Sequence, residues 1–185
     1  MNSSRFTSDK NFKTSNSNLL LTKLIINNAV DINNTNIPID VDFKNPILVQ
    51  ELLTSFVDEP FVKYLDFSTL EKLDKSFVSD SFKNKESDMI YRVKFKNEYI
   101  YIFLLIEFQS SVDKKMPIRI LRYICEFYEE LKVKSGEKYP AVFPIMLYNG
   151  DTKWSAETNI KDVIENTINS KFIPDFSYYK ICENE

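Results

Sequence analysis

The sequence contains no histidine at all. That absence excludes imidazole acid–base catalysis, Ser-His-Asp triads, His-ligated zinc and the His-centred HNH nucleases. A carboxylate–metal site survives the exclusion. There are 2 cysteines, Cys125 and Cys182, and no Cys-x-x-Cys pair. This gives neither a disulfide framework nor a zinc site, and a reducing, cytoplasmic setting is expected. Glycine is scarce, with 2 residues, whereas Asn, Lys and Ile abound. Positive charge is not in excess either: 24 Lys and Arg against 27 Asp and Glu leave a net charge of −3. Bulk charge alone therefore does not hold a polyanion, and any nucleic-acid contact must come from a local basic patch or a metal. No apolar run approaches the ~20 residues of a membrane span, so no membrane partner is expected. The N-terminus lacks the basic-then-apolar layout of a signal peptide.

What is present is a chain of 185 residues, 43% hydrophobic and 28% charged, which suits one soluble domain with a real core. Residues 1–43 read as a polar tail, rich in Ser, Asn and Lys and expected to be disordered. One short apolar segment, Leu19 to Ile26, lies within it. The domain is expected over 44–185. Asn45-Pro46 opens its first helix, with Asn45 as cap and Pro46 in the first turn. Leu48, Val49, Leu52, Leu53 and Phe56 recur at helical spacing and make its core-facing stripe. Glu51 lies beside that stripe, either on a solvated face or as a supporting active-site carboxylate. Ser68-Thr69-Leu70-Glu71 has the form of a capping box and predicts a short helix.

The chain is organised around Asp88–Gln109. Two runs rich in Tyr, Ile, Val and Phe flank a polar break at Lys96-Asn97-Glu98, which predicts two antiparallel strands and a tight turn. If Lys96 pairs with Tyr99, Asp88 falls directly opposite Glu107. Opposed residues share a face, with Cβ atoms roughly 4.5–5.5 Å apart. Gln109 follows two residues later on that face. The second run is apolar on both faces, so it reads as a central, covered strand. Two carboxylates so close repel each other unless one is protonated or both share a cation. A hard divalent ion fits, because Mg²⁺ takes carboxylate, carbonyl and water oxygens. The alternative is a pair of solvated strand ends, and a one-residue slip would separate the two.

Pro117 opens a long helix reaching about Lys134, with Ile118, Leu121, Cys125, Tyr128 and Leu131 as the predicted inner stripe. The Tyr128 ring is expected to bury with its hydroxyl on a polar partner. Arg119 and Arg122 share another face. With Lys114 and Lys115 they form a cationic patch that could hold phosphates; surface pairing with Glu126 or Glu129 is the alternative. Ala141 to Tyr148 reads as a buried strand, with Pro144 near an edge or bulge. Asn149-Gly150 marks a turn, and Trp154 after it is expected to pack against the fold. Asn159 to Asn169 reads as a helix and Phe176 to Ile181 as a last strand. The element order gives a three-layer α/β fold.

Five phrases occur in order: L-D-F-S-T-L-E-K, S-D-M-I-Y-R-V, L-L-I-E-F-Q-S, M-P-I-R-I-L-R-Y and V-F-P-I-M-L-Y-N-G, the last followed by a Trp. Together they resemble the recombination-promoting nuclease family, the YhgA-like transposases, from roughly Asn45 to the C-terminus. The resemblance implies a restriction-endonuclease-like core of the PD-(D/E)xK class, a mixed sheet with a central antiparallel hairpin flanked by helices. It implies Mg²⁺-dependent DNA cleavage, with Mn²⁺ as the other candidate ion. The motif Asp falls on Asp88 and the motif Glu on Glu107. The usual Lys position falls on Gln109, and the early helix acid on Glu51. Asp88, Glu107 and the carbonyl of Phe108 would be the metal ligands. Lys114, Lys115, Arg119 and Arg122 would touch the DNA backbone. Family members continue past Glu185 and start differently, which implies a truncated copy or one with a foreign N-terminal tail. A catalytically inactive remnant that only binds DNA or a protein is the alternative function. Oligomeric state stays open, a homo-oligomer included.

Overall fold

The computed structural model describes residues 45–74, 89–107, 112–148, 150, 152–168 and 170–182. The expected N-terminal tail, Phe77 and Val78 (apolar neighbours that read as a small strand or packed turn), Asp88, Phe108 and Gln109 lie outside them.

The first helix, α1, is Pro46–Phe56. Asn45 caps it, its side chain accepting from the Ile47 amide at 3.0 Å. The cap satisfies one of the donors that a helix start leaves unpaired, and Pro46 has no amide hydrogen to satisfy. Val49, Leu52 and Leu53 are buried, with Leu48 and Phe56 packed around them, as the spacing predicts.

Five strands follow: β1 (Leu65–Lys72), β2 (Met89–Phe95), β3 (Glu98–Glu107), β4 (Val142–Tyr148) and β5 (Tyr179–Cys182). They form one sheet in the order β1-β2-β3-β4-β5. β1, β2 and β3 run antiparallel; β4 and β5 join parallel to β3. The second helix, α2 (Met116–Glu130), makes the β3-to-β4 crossover that a parallel pair requires. α1 packs on one face of the sheet, with Tyr91, Ile102, Leu104 and Leu147. α2 packs on the other, with Phe103, Leu105, Met146 and Trp154. This is the expected three-layer α/β fold with a mixed sheet, compatible with a restriction-endonuclease-like core. β3 lies at its centre and is buried throughout from Tyr101 to Glu107. No described helix is long and apolar enough to cross a membrane.

Several expectations are corrected. The hairpin closes with Phe95 opposite Glu98, and its loop is Lys96-Asn97. Lys96 takes the left-handed φ of 57° that such a tight loop demands. The ladder is therefore shifted by two residues from one pairing Lys96 with Tyr99. It ends, as described, at Met89 opposite Leu104, so the alignment that set Asp88 across from Glu107 does not hold. A shift of two leaves every side chain on its predicted face, which is why apolar patterning does not detect it.

Ser68 to Glu71 is strand, not a helix start. Asp66 accepts from the Ser68 amide and hydroxyl, and the β1–β2 register slips between Asp66 and Glu71. There the Thr69 hydroxyl accepts the Lys94 amide at 2.9 Å, substituting for a ladder carbonyl. α2 ends at Glu130, and its buried stripe is Met116, Ile120, Tyr123, Ile124 and Phe127. Ile118 and Cys125 are exposed instead. Gly136, which as a glycine after a helical run reads as a helix end, sits beyond α2 in a turn, at a φ of 89°. The helix expected over Asn159 to Asn169 is not formed among the described residues 159–168, which carry a 3₁₀ turn, Ile160–Val163, capped by Asn159. β5 begins at Tyr179, and Ser177 only bridges to Asn159. Pro144 is buried inside β4, opposite Phe103 of β3 and one residue before β5 begins to pair at Ile145, so it lies at the margin of the β4–β5 ladder and not on an edge strand.

Candidate active site

The parallel strands end together. Glu107 closes β3, Tyr148 lies beside it in β4, and Cys182 beside that in β5. The C-terminal ends of adjacent parallel strands are where open α/β sheets carry their sites. Among the described residues, Glu107 is the buried charged one, 7% exposed. A carboxylate that deep needs a partner.

Arg119 supplies it. It sits in the first turn of α2 and bonds Glu107 Oε1 through Nη2. Its Nη1 reaches Asp113 Oδ2 at 3.2 Å. The guanidinium fork thus bridges two carboxylates, a geometry that Arg suits and Lys does not. Asp113 also accepts the Lys115 amide at 2.8 Å, which fixes the entry to α2. Arg119 lies on the α2 face that packs on the sheet, one turn from Met116 and Tyr123. That face follows from the corrected stripe; on the predicted one Arg119 points outward. Asp113 is a site residue that the sequence analysis does not single out.

The other predicted residues fall as follows. Lys114 bonds the carbonyl of Ser155, and its Nζ meets the Ser155 hydroxyl at 2.8 Å. Lys115 is exposed at the head of α2. Arg122 is exposed and pairs with Glu126 at 3.6 Å, one of the two partners expected for a surface arginine. Of the four cations, Arg119 alone reaches Glu107 in the ion pairs described. Glu51 is exposed on α1, which covers the sheet face opposite α2.

Aromatic packing walls the site. The Tyr148 and Trp154 rings meet edge-on, with centroids 4.9 Å apart. The Trp154 indole donates to the Tyr178 hydroxyl at 3.2 Å, which donates to the Glu157 carbonyl at 3.0 Å. Burial pushes the Tyr178 hydroxyl up to about 12. The Trp154 bond works against that shift, while Cys182, Asp113 and Glu157 add to it. Trp154 therefore packs against the fold, as expected.

Glu107 offers the hard oxygen a magnesium ion takes, and Mg²⁺ is commonly held by one or two carboxylates plus water. Among the described residues, no group of three or more His, Cys, Asp and Glu converges as a metal site. The other two expected donors, Asp88 and the carbonyl of Phe108, lie outside those residues. The donor present fits the ion, and it comes already paired to Arg119.

A mixed sheet sandwiched by helices, with a buried acid at the end of its central strand, makes an α/β domain compatible with a restriction-endonuclease-like core. Residues 42–181 match the family described as "Putative transposase, YhgA-like". The chain belongs to that family. It is 30% identical over 122 residues to the inactive recombination-promoting nuclease-like protein RpnE of Escherichia coli K12, covering 64% of this chain and 41% of that one. It is 32% identical over 119 residues to the recombination-promoting nuclease RpnC of the same strain, covering 62% and 39%. For the recombination-promoting nuclease RpnA, also of that strain, the identity is 28% over 107 residues, covering 58% and 37%. The chain thus spans about two fifths of the length of these curated relatives. No solved structure matches it.

Proposed function

We propose that this domain is a metal-dependent DNA endonuclease that hydrolyses phosphodiester bonds. The observation that carries this is Glu107, a carboxylate held inside the fold at the end of the central strand. Relatives named as recombination-promoting nucleases support DNA as the substrate.

Glu107 and Asp88, with the Phe108 carbonyl, would hold Mg²⁺ or Mn²⁺. When bound, the ion supplies charge neutralisation at the phosphate and a lowered pKa for water. The chain's own groups do the rest. Gln109 carries no charge, but its amide orients the attacking water by hydrogen bonding. Lys115 and Arg122, both exposed, position the DNA backbone without reading sequence. Lys114 braces the loop carrying Ser155 against the head of α2.

A second reading has its own support: a domain that binds DNA or a protein without cutting. Glu107 is already neutralised by Arg119, and RpnE is named as inactive. A plasmid-nicking assay with Mg²⁺ separates the two. Wild type should nick, and Asp88→Ala and Glu107→Ala should not; equal outcomes in all three remove the nuclease assignment.

A further inference from the structure

The Glu107–Arg119–Asp113 chain has a property that neither a nuclease motif nor a family name assigns. Arg119 is held by two carboxylates at once, at 12% side-chain exposure, while Asp113 is at 35% and Glu107 at 8%. Its inner partner is the acid assigned to metal binding; its outer partner is nearer to water. A divalent ion and a guanidinium cannot both sit close on one buried carboxylate without strong repulsion, since low-dielectric surroundings screen little. The fork offers a way out, because Asp113 can keep Arg119 when Glu107 lets go.

We propose that Arg119 is a positioning residue that competes with the divalent ion for Glu107, with Asp113 as its second holding point. Arg119 orients the buried carboxylate and lowers its affinity for metal. Asp113 draws Arg119 outward and raises that affinity. This rests on the proposed metal site at Glu107, and it goes beyond it: the strength of metal binding is set by two residues that need not touch the ion.

The test is Mn²⁺ titration calorimetry on wild type, Arg119→Gln, Asp113→Asn, the double variant and Glu107→Gln. Arg119→Gln should bind Mn²⁺ about tenfold tighter than wild type, the size of an ordinary coupling between contacting residues. Asp113→Asn should bind several-fold more weakly. That weakening should vanish in the Arg119→Gln background, because Asp113 acts through Arg119. Arg119→Lys keeps the charge but cannot span both acids, so it should fall between wild type and Arg119→Gln; it serves also if the Gln variant does not fold. Unchanged or weaker binding in both Arg119 variants overturns the proposal. So does an Asp113→Asn effect of full size in the double variant, which would mark a direct charge effect. Wild type binding no better than Glu107→Gln overturns the metal site itself, a failure distinguishable from the other two.

Discussion

Glu107 and Arg119 meet across the seam between the end of β3 and the first turn of α2, at side-chain exposures of 8% and 12%. Two ions this deep do not behave like a surface pair. Removing Arg119 takes away the cation that holds a buried carboxylate, a loss that typically costs about 3–5 kcal/mol. Arg119→Ala should lose stability on that scale. Arg122→Ala should change it by less than about 0.5 kcal/mol, since Arg122 itself is exposed, at 54% of its side chain. Urea unfolding of the two variants reads the difference, and similar midpoints would contradict the burial of the pair.

The two faces of α2 provide a second contrast. Phe127 is 1% exposed and meets the Phe103 ring edge-on at 5.2 Å. Phe127→Ala should cost about 3–5 kcal/mol. Ile118 is 49% exposed, so Ile118→Ala should be nearly silent. Thermal melts of both variants check this; a large loss at Ile118 would restore the other helical face.

Thr69 tests the slip in β1. Its hydroxyl accepts the Lys94 amide and donates to the Asp66 carbonyl at 2.7 Å. Thr69→Val keeps the shape but removes both hydrogen bonds, at a cost of about 0.5–1.5 kcal/mol for partners that water can reach. Thr69→Ser should recover most of it. Denaturant midpoints decide, and a harmless Val would mean that the hydroxyl bridges nothing.

Tyr178 gives a pH dependence. Its folded pKa lies at about 12, above the ordinary tyrosine value near 10. The unfolded chain then releases this proton first, so the folded state loses stability as pH rises from about 10 through 12. Below that window the group contributes no slope. Tyr178→Phe should flatten the alkaline arm of a stability–pH curve, and an unchanged arm would contradict the shift.

Much of this architecture was legible in the residues. Asn45-Pro46 marks a helix start through local chemistry alone, and Tyr101 to Ile106, apolar at every position and rich in β-formers, reads as a strand covered on both faces. Glu107 at the end of that run stood out for the same reason. The failures share a cause: local signals that tertiary pairing overrides or leaves degenerate. Ser68 to Glu71 carries capping chemistry, yet pairing with β2 keeps it extended. α2 carries apolar residues on more than one face, so periodicity alone cannot choose between Ile118-Leu121-Cys125 and Ile120-Tyr123-Phe127. The hairpin shift preserved every face, and only the pairing of Phe95 with Glu98 reveals it. The bond from Arg119 to Glu107 links residues that only the packing of α2 on the sheet brings together.

The central claim is that Glu107 serves chemistry and not only the fold. The direct measurement is Mg²⁺-dependent nicking of supercoiled plasmid by wild type and Glu107→Gln, with DNA retention at low salt measured on the same samples. Wild type should nick and Glu107→Gln should retain DNA without nicking. Nicking by Glu107→Gln at the wild-type rate would contradict the account.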